Sequence, residues 1–257
     1  MNILFIGDII GNSGVKKVVE ILPLLKTQKN IDFVIANGEN SADGMGITAK
    51  IFKDLISCGV NVITMGNHTW GKKEIFNLLD SHNLIRPANY PEGVVGRGYY
   101  IYNCNDKKIA VINLIGRVDM GVLSENPFLT AEKIINKIKG KVDIIMVDFH
   151  AEATAEKIAM GYFLDGKASA VLGTHTHVQT ADEKILENGT AYITDVGMTG
   201  PVKSVIGMDV DASIKRFVTT LPERYKVSDD KNVALNGCIL KINDETCRPE
   251  KIERINL

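Results

Sequence analysis

From residue 2 to residue 173, short apolar runs alternate with longer segments of helical spacing. Residues 2–7, 32–37, 60–65, 142–147 and 168–173 read as strands. Residues 15–26, 48–57, 72–81, 130–139 and 153–163 read as helices, and 99–103 with 108–114 as a strand pair. Strands that are apolar at nearly every position, and not at every second one, are buried on both faces. Separated by helices, such strands specify an α/β fold of central mixed sheets flanked by helices. Beyond residue 177 the character changes. Segments 184–186 and 190–194 flank Asn188-Gly189, a hairpin turn signal. Residues 233–242 and 251–255 read as further antiparallel strands, and 216–230 as polar and irregular. No repeat, linker or low-complexity tract breaks the 257 residues, so one domain is expected over 1–257.

The polar residues fall where the strands end. The first strand runs into Asp8, the second into Glu39-Asn40, the third into Asn67-His68, the next into Asp148-Phe149-His150 and the last into His175-Thr176-His177. Open α/β sheets bind ligands in the crevice beyond the carboxyl ends of their strands. Four of the five histidines sit at such ends; His82 lies in a polar helix end and reads as a solvated side chain. In an extended chain residues i and i+2 share a side, so His175 and His177 face one point if the strand continues or bends gently. Each feature alone has a plain explanation: Asp8 a cap, Glu39-Asn40 turn chemistry, His150 a satisfied core histidine. Together they need five coincidences along one sheet edge. Mixed imidazole and carboxylate donors suit Mn, Fe, Zn or Co over Ca or Mg. The donors outnumber what one tetrahedral ion needs, which points to two ions about 3.5–4 Å apart.

Other classes are excluded by what is missing. Gly7-Asp-Ile-Ile-Gly11-Asn-Ser-Gly14 lacks the spacing of the dinucleotide fingerprint, and Asp8 would sit where a pyrophosphate belongs. Its glycines are expected to let the backbone approach a phosphate near the helix N-terminus. A net charge of −1 with no long basic run argues against a nucleic-acid polymer or an anionic membrane as partner. The four cysteines are widely spaced, which fits a reducing cytoplasm. No run approaches the ~20 apolar residues of a membrane helix, and the N-terminus lacks the basic segment and cleavage site of a signal peptide.

The ordered set Asp8, Glu39, Asn67-His68, His150 and His175-x-His177 resembles the calcineurin-like metallophosphoesterases, and within them the bacterial YmdB-type 2′,3′-cyclic-nucleotide phosphodiesterases. The stretches that carry the resemblance lie between residues 5 and 200; they include Asn37-Gly-Glu-Asn-Ser, Gly66-Asn-His-Thr-Trp and Thr194-Asp-Val-Gly-Met-Thr-Gly. The resemblance implies an αββα sandwich and two ions per chain, iron or manganese ahead of zinc. It implies one ion held by Asp8, Glu39 and His177, a second by Asn67, His150 and His175, and Glu39 bridging both. His68 would be no ligand but the general acid facing the leaving oxygen, while a hydroxide between the ions attacks phosphorus. The substrate would be a small cyclic nucleotide, 2′,3′-cyclic or 3′,5′-cyclic, and the assembly a homo-oligomer.

Where the wider superfamily carries Asp-x-His, this chain has Asp8-Ile9-Ile10, and Asn40 is the natural substitute for the missing donor. Thr69 follows His68 where many relatives have an acidic residue, so something else must orient His68. Asp148 and Asp195 are candidates to hydrogen-bond ligand imidazoles, or are solvated loop carboxylates. The loop 41–46 is a plain turn or a rim from which Met45 touches a base. Two competing readings remain: a phosphomonoesterase or phosphoprotein phosphatase, and a metal- and nucleotide-binding regulator with little turnover.

Overall fold

The computed structural model describes residues 1–224 and 226–257. Two six-stranded sheets lie face to face between helices. The first contains β1 (Asn2–Ile6), β3 (Phe33–Asn37), β4 (Val62–Thr64) and β5 (Leu84–Ile85) in parallel, extended antiparallel on the β1 side by β14 (Asn236–Ile242) and β15 (Pro249–Asn256). The second is built on parallel β7 (Lys107–Ile115), β8 (Ile144–His150), β9 (Ala170–Thr174) and β11 (Ala191–Ile193). Antiparallel β6 (Tyr99–Cys104) and β10 (Lys184–Ile185) close its edges. A small third sheet joins β2 (Asp8–Ile9), β12 (Met198–Pro201) and β13 (Val233–Ala234).

Alternation along each strand sorts the core into layers. On β1, Ile3 and Phe5 meet Val111, Met146 and Leu172 of the opposite sheet. Leu4 and Ile6 face the other way, with Val18, Leu22 and Leu55 of α1 (Gly11–Lys29) and α2 (Ala49–Ser57). On the far side, Ile112, Val147 and Val171 pack with Ile135 and Met160 of α3 (Pro127–Ile138) and α4 (Thr154–Phe163). Both faces of both sheets are therefore buried, which is why their strands are apolar throughout. This is the expected αββα arrangement. Among the described residues no helix is long and apolar enough to cross a membrane.

Three local expectations are corrected. Residues 72–81 do not form an α-helix; only a 3₁₀ turn, Lys73–Asn77, appears. Its start lacks a side-chain cap, and the Glu74 carboxylate instead accepts from the Ala49 N–H at the start of α2. Helix α3 starts three residues earlier than the periodicity implied. Asn126 Oδ1 accepts from the N–H groups of Phe128 and Leu129, and Pro127 takes the first helical position. Residues 216–219, expected to be irregular, are the end of α5 (Val210–Thr219), capped by the Asp209 carboxylate on the Ala212 N–H. The hairpin at Asn188-Gly189 forms as expected, with β10 paired to β11.

Candidate functional site

The carboxyl ends of β3, β4, β8 and β9 open onto one buried cluster, joined by Asp8, the first residue of β2. Asp8, Glu39, Asn40 and His150 are all buried, at 2 % exposure or less. The centre of the cluster is His150 Nε2. It lies 3.0 Å from Glu39 Oε1, 2.9 Å from Asn67 Oδ1 and 3.0 Å from His175 Nδ1. For bonds of about 2.1 Å, neighbouring ligand atoms of an octahedral ion stand about 3 Å apart. The spacing is thus that of atoms sharing a cation. Glu39, His150 and His175 offer ligand atoms that all lie within 4.8 Å of one another. Asp8 Oδ1, fully buried, has no hydrogen-bond partner among the described residues; two imidazole nitrogens, of His150 and His177, stand 3.8 Å away. A buried carboxylate oxygen left unpaired is costly and calls for a cation. The donors fit a metal ion by spacing and by chemistry.

The outer nitrogen of each of the three imidazoles is engaged away from the cluster. The single hydroxyl proton of Thr174 goes to Asp148 Oδ1 (2.7 Å), so its oxygen accepts from His150 Nδ1–H (2.9 Å). His175 Nε2 lies 3.1 Å from Glu152 Oε2. His177 Nδ1–H donates to the carbonyl of Ile206 (2.9 Å). The inward nitrogens, His150 Nε2, His175 Nδ1 and His177 Nε2, are left to face the carboxylates, the arrangement that fixes the tautomer of a ligating histidine. His177 Nε2 also lies 3.3 Å from Asn40 Nδ2.

The charges respond to burial and to one another. Burial pushes the Asp8 carboxyl up against the pull of His177 and His150. Burial would raise Glu39 too, but the charge and hydrogen bond of His150, with help from His68, bring it down to about 2. Burial would lower His150, yet Glu39, Asp8 and Asp148 outweigh it and lift the imidazole to about 9. His175 is driven down to about 3, by burial and then by the neighbouring His150. Without an ion, His150 thus keeps an extra proton while its neighbour His175 stays neutral, and binding a cation would displace that proton.

His68 stands at the rim, one-third exposed, held at two points. Its backbone N–H donates to Glu39 Oε2 (2.9 Å), and its Nδ1–H donates to Asn40 Oδ1 (2.7 Å). The group that orients His68 in place of the missing acidic neighbour is therefore Asn40. Gly66, at the head of this turn, has no space for a side chain: a Cβ would lie 2.3 Å from both Glu39 Oε2 and His150 Nε2.

The structure brings Asp8, Glu39, Asn40, Asn67, His68, His150, His175 and His177 together. It alters several details. The His-x-His pair does not extend β9; the strand stops at Thr174, and His175 (φ 97°) and His177 (φ 66°) turn with positive φ. Asp148 reaches His150 through Thr174 and the Asn37 amide and not directly, and Asp195 touches Thr176 and not an imidazole. The glycines after β1 serve packing more than ligand approach: a Cβ on Gly7 would strike the carbonyl of Gly197, and one on Gly14 that of Thr199. Residues 41–46 form a plain turn closed by Ala42 N–H to Gly46 O and Met45 N–H to Ala42 O. His82 is exposed and stacks on Tyr100, 4.3 Å between ring centres. Glu152, Thr174 and Lys157 are the functional neighbours that sequence reasoning missed. Glu152 stands two residues beyond His150, and that proximity was its only signal.

Residues 4–255 match the family described as YmdB-like protein. The chain is 53% identical over 256 residues to the 2′,3′-cyclic-nucleotide 2′-phosphodiesterase of Bacillus subtilis (strain 168), covering 99% of this chain and 96% of that protein. A crystal structure described as a novel phosphatase from Mycoplasma pneumoniae superposes with a TM-score of 0.95 at 37% identity, over 100% of this chain and 93% of that one. The 5′-nucleotidase of Candida albicans shares the fold, with a TM-score of 0.60 at 13% identity over 99% of this chain and 50% of that one.

Proposed function

Because the chain belongs to the YmdB-like family, we propose that it is a metal-dependent phosphodiesterase that opens small cyclic nucleotides, 2′,3′-cyclic ones first and 3′,5′-cyclic ones in addition. The observation that carries this reading is the trio of imidazoles whose outer nitrogens are engaged and whose inner nitrogens surround two buried carboxylates. The 53% identity to a named 2′-phosphodiesterase supports the choice of substrate.

In this reading Asp8, Glu39 and His177 would hold one ion and Asn67, His150 and His175 the other, with Glu39 available to both. Asn40 completes the first set: a carbonyl oxygen has two lone pairs, so accepting from His68 leaves one for an ion. When bound, two such ions neutralise charge on the phosphoryl oxygens and make a water acidic enough to attack near neutral pH. The chain's own residues do the rest. His68 Nδ1–H is tied to Asn40, so Nε2 carries the proton that moves. The water oxygen bonds to phosphorus, the bond from phosphorus to O2′ breaks, and His68 Nε2 gives its proton to the departing O2′. The product is the 3′-monophosphate. Glu39, by accepting the His68 backbone N–H, fixes the distance between donor set and acid.

The ions are iron or manganese, on the mix of imidazole and carboxylate donors. The whole chain works as one domain, in the cytoplasm and as a homo-oligomer; metal analysis of purified protein and light scattering check ion and assembly. A second reading, hydrolysis of phosphate monoesters, is favoured by the Mycoplasma pneumoniae relative described as a phosphatase. Metal-replete protein with 2′,3′-cyclic AMP, its products separated by chromatography, tests the first. Release of 3′-AMP, abolished in Asp8→Ala, is expected. No 3′-AMP, with p-nitrophenyl phosphate consumed, would replace it with the second.

A further inference from the structure

The turn that delivers His175 and His177 is strained. Both residues hold positive φ, a region that side chains other than glycine adopt at a cost and keep only where the surroundings over-determine it. Between them Thr176 faces away from the cluster, and it is held at three points. Its backbone N–H donates to Asp195 Oδ2 (3.1 Å), its hydroxyl donates to the same oxygen (2.7 Å), and Lys157 Nζ lies 3.3 Å from the hydroxyl oxygen. Lys157 Nζ donates to Asp195 Oδ2 at 2.7 Å, and Asp195 Oδ1 accepts from the Gly197 N–H at 2.8 Å.

Lys157 and Asp195 are 1% and 0% exposed. A buried ion pair is weak evidence of stability, because desolvation offsets its attraction. Here a single carboxylate gathers two donors from Thr176, one from Lys157 and one from Gly197. We propose that Lys157 is a positioning residue: through Asp195 it clamps Thr176, and so holds His175 and His177 in their strained turn, both imidazoles facing the donor cluster before any ion arrives. Lys157 touches no imidazole and no reacting atom. It acts from helix α4, and Asp195 acts from the segment after β11, so the clamp ties the turn to two rigid elements of the second sheet and its helical layer. The clamp rests on the reading of the cluster as a metal centre.

The test is Mn²⁺ binding followed by calorimetry on the full chain, with thermal unfolding of the metal-free protein measured beside it. Thr176→Val keeps the Lys157–Asp195 pair and deletes one hydroxyl; Thr176→Ser keeps the hydroxyl. Outer partners of ligating residues are worth about 10- to 100-fold in metal affinity. Thr176→Val is expected to weaken Mn²⁺ by at least about tenfold on that scale, with the unfolding temperature little changed, and Thr176→Ser to bind as wild type does. The paired change Lys157→Met with Asp195→Asn, which leaves no lone buried charge, is expected to weaken Mn²⁺ further. Wild-type Mn²⁺ affinity in Thr176→Val overturns the clamp. So does an affinity loss that comes only with a matching fall in unfolding temperature, since that would be plain destabilisation. Wild-type protein that takes up neither Mn²⁺ nor Fe²⁺ would instead sink the reading of the metal centre, a result distinct from failure of the clamp.

Discussion

His150 and the His175–His177 pair bring imidazoles to the same cluster by different mechanical means. His150 is the last residue of β8, a central strand with parallel neighbours on both sides; it pairs with Ile115 on one and Thr174 on the other. The sheet ladder sets its height, and the Thr174 hydroxyl on the neighbouring strand holds its ring. His175 and His177 lie one and three residues past the end of β9, outside any ladder, with backbone angles the chain does not prefer. Contacts from outside the turn set their direction: the Asp8 carboxylate on the His175 N–H, Asp195 and Lys157 through Thr176, and the Ile206 carbonyl on His177. A strand end is therefore a cheap way to place one ligand. Placing two on a short arc requires a turn, and the turn requires an external clamp.

The largest effect is expected from the strand end. His150→Ala removes the nitrogen on which Glu39, Asn67 and His175 converge. It also leaves Glu39 and Asp8 buried without their cationic neighbour. Breaking a buried pair on one side costs about 3–5 kcal/mol. Urea unfolding of the metal-free variant should show a loss of that size, together with loss of at least one of the two Mn²⁺ ions and no turnover of 2′,3′-cyclic AMP. A variant as stable as wild type would mean that the sheet, not the imidazole, supports the cluster. Next in size is His68→Ala, at the rim. It should lower turnover by about 10²–10⁴-fold, the usual contribution of a general acid, while Mn²⁺ affinity stays at the wild-type value. Unchanged turnover would remove His68 from the chemistry.

The two regions also respond oppositely to pH when the metal is stripped. In the fold His150 is raised from 6.5 to about 9, so it binds a proton more tightly than the unfolded chain does. Its contribution is complete below pH 6.5 and is lost as the pH rises through about 9. His175 is lowered from 6.5 to about 3, so the unfolded chain takes up its proton first. That costs stability as the pH falls below 6.5. The pair is in contact, and the titration belongs to both. Metal-free protein should therefore lose stability, by at most a few kcal/mol, on each side of pH 6.5. Denaturant midpoints across pH 4–10 check this. In His175→Ala the loss between pH 6.5 and 4.5 should disappear, while the loss below 4.5 that Glu39 contributes and the alkaline-side loss remain; the reverse outcome would exchange the two assignments.

How much of this was legible in the sequence follows the same division. Buried strands write themselves as continuous apolar runs; with the resemblance supplying the sandwich, the α/β layering and the polar residues at the strand ends could be read directly. The means of holding them could not. Lys157 lies in a helical segment, where a lysine ordinarily marks the solvated face; nothing local distinguishes one that is 1% exposed. Asp195, Thr176 and Lys157 are brought together only by the pairing of β9 with β11 and the docking of α4. The tie from Asn40 to His68 spans 28 residues and depends on where two strands end. The helix expected at 72–81 failed for another reason. Its apolar spacing was right, since Ile75 and Leu79 are both buried, but a tight turn met that need without a capped helix.

The smallest effect is expected at Glu152. Its carboxylate stands 3.1 Å from His175 Nε2, yet the side chain is about half exposed, so water competes for that contact. An exposed pair of this kind contributes about 0–1 kcal/mol. The clamp at Thr176 fixes the backbone of His175, and Glu152 only its ring rotation. Glu152→Gln keeps an amide oxygen for the same contact and removes the charge. It should therefore change Mn²⁺ affinity by no more than about fivefold, the reach of 1 kcal/mol, and less at high salt, where exposed charge is screened. An effect as large as that of Thr176→Val would shift the balance of the comparison: the ring contact, and not the strained backbone, would then be what keeps the second region in place.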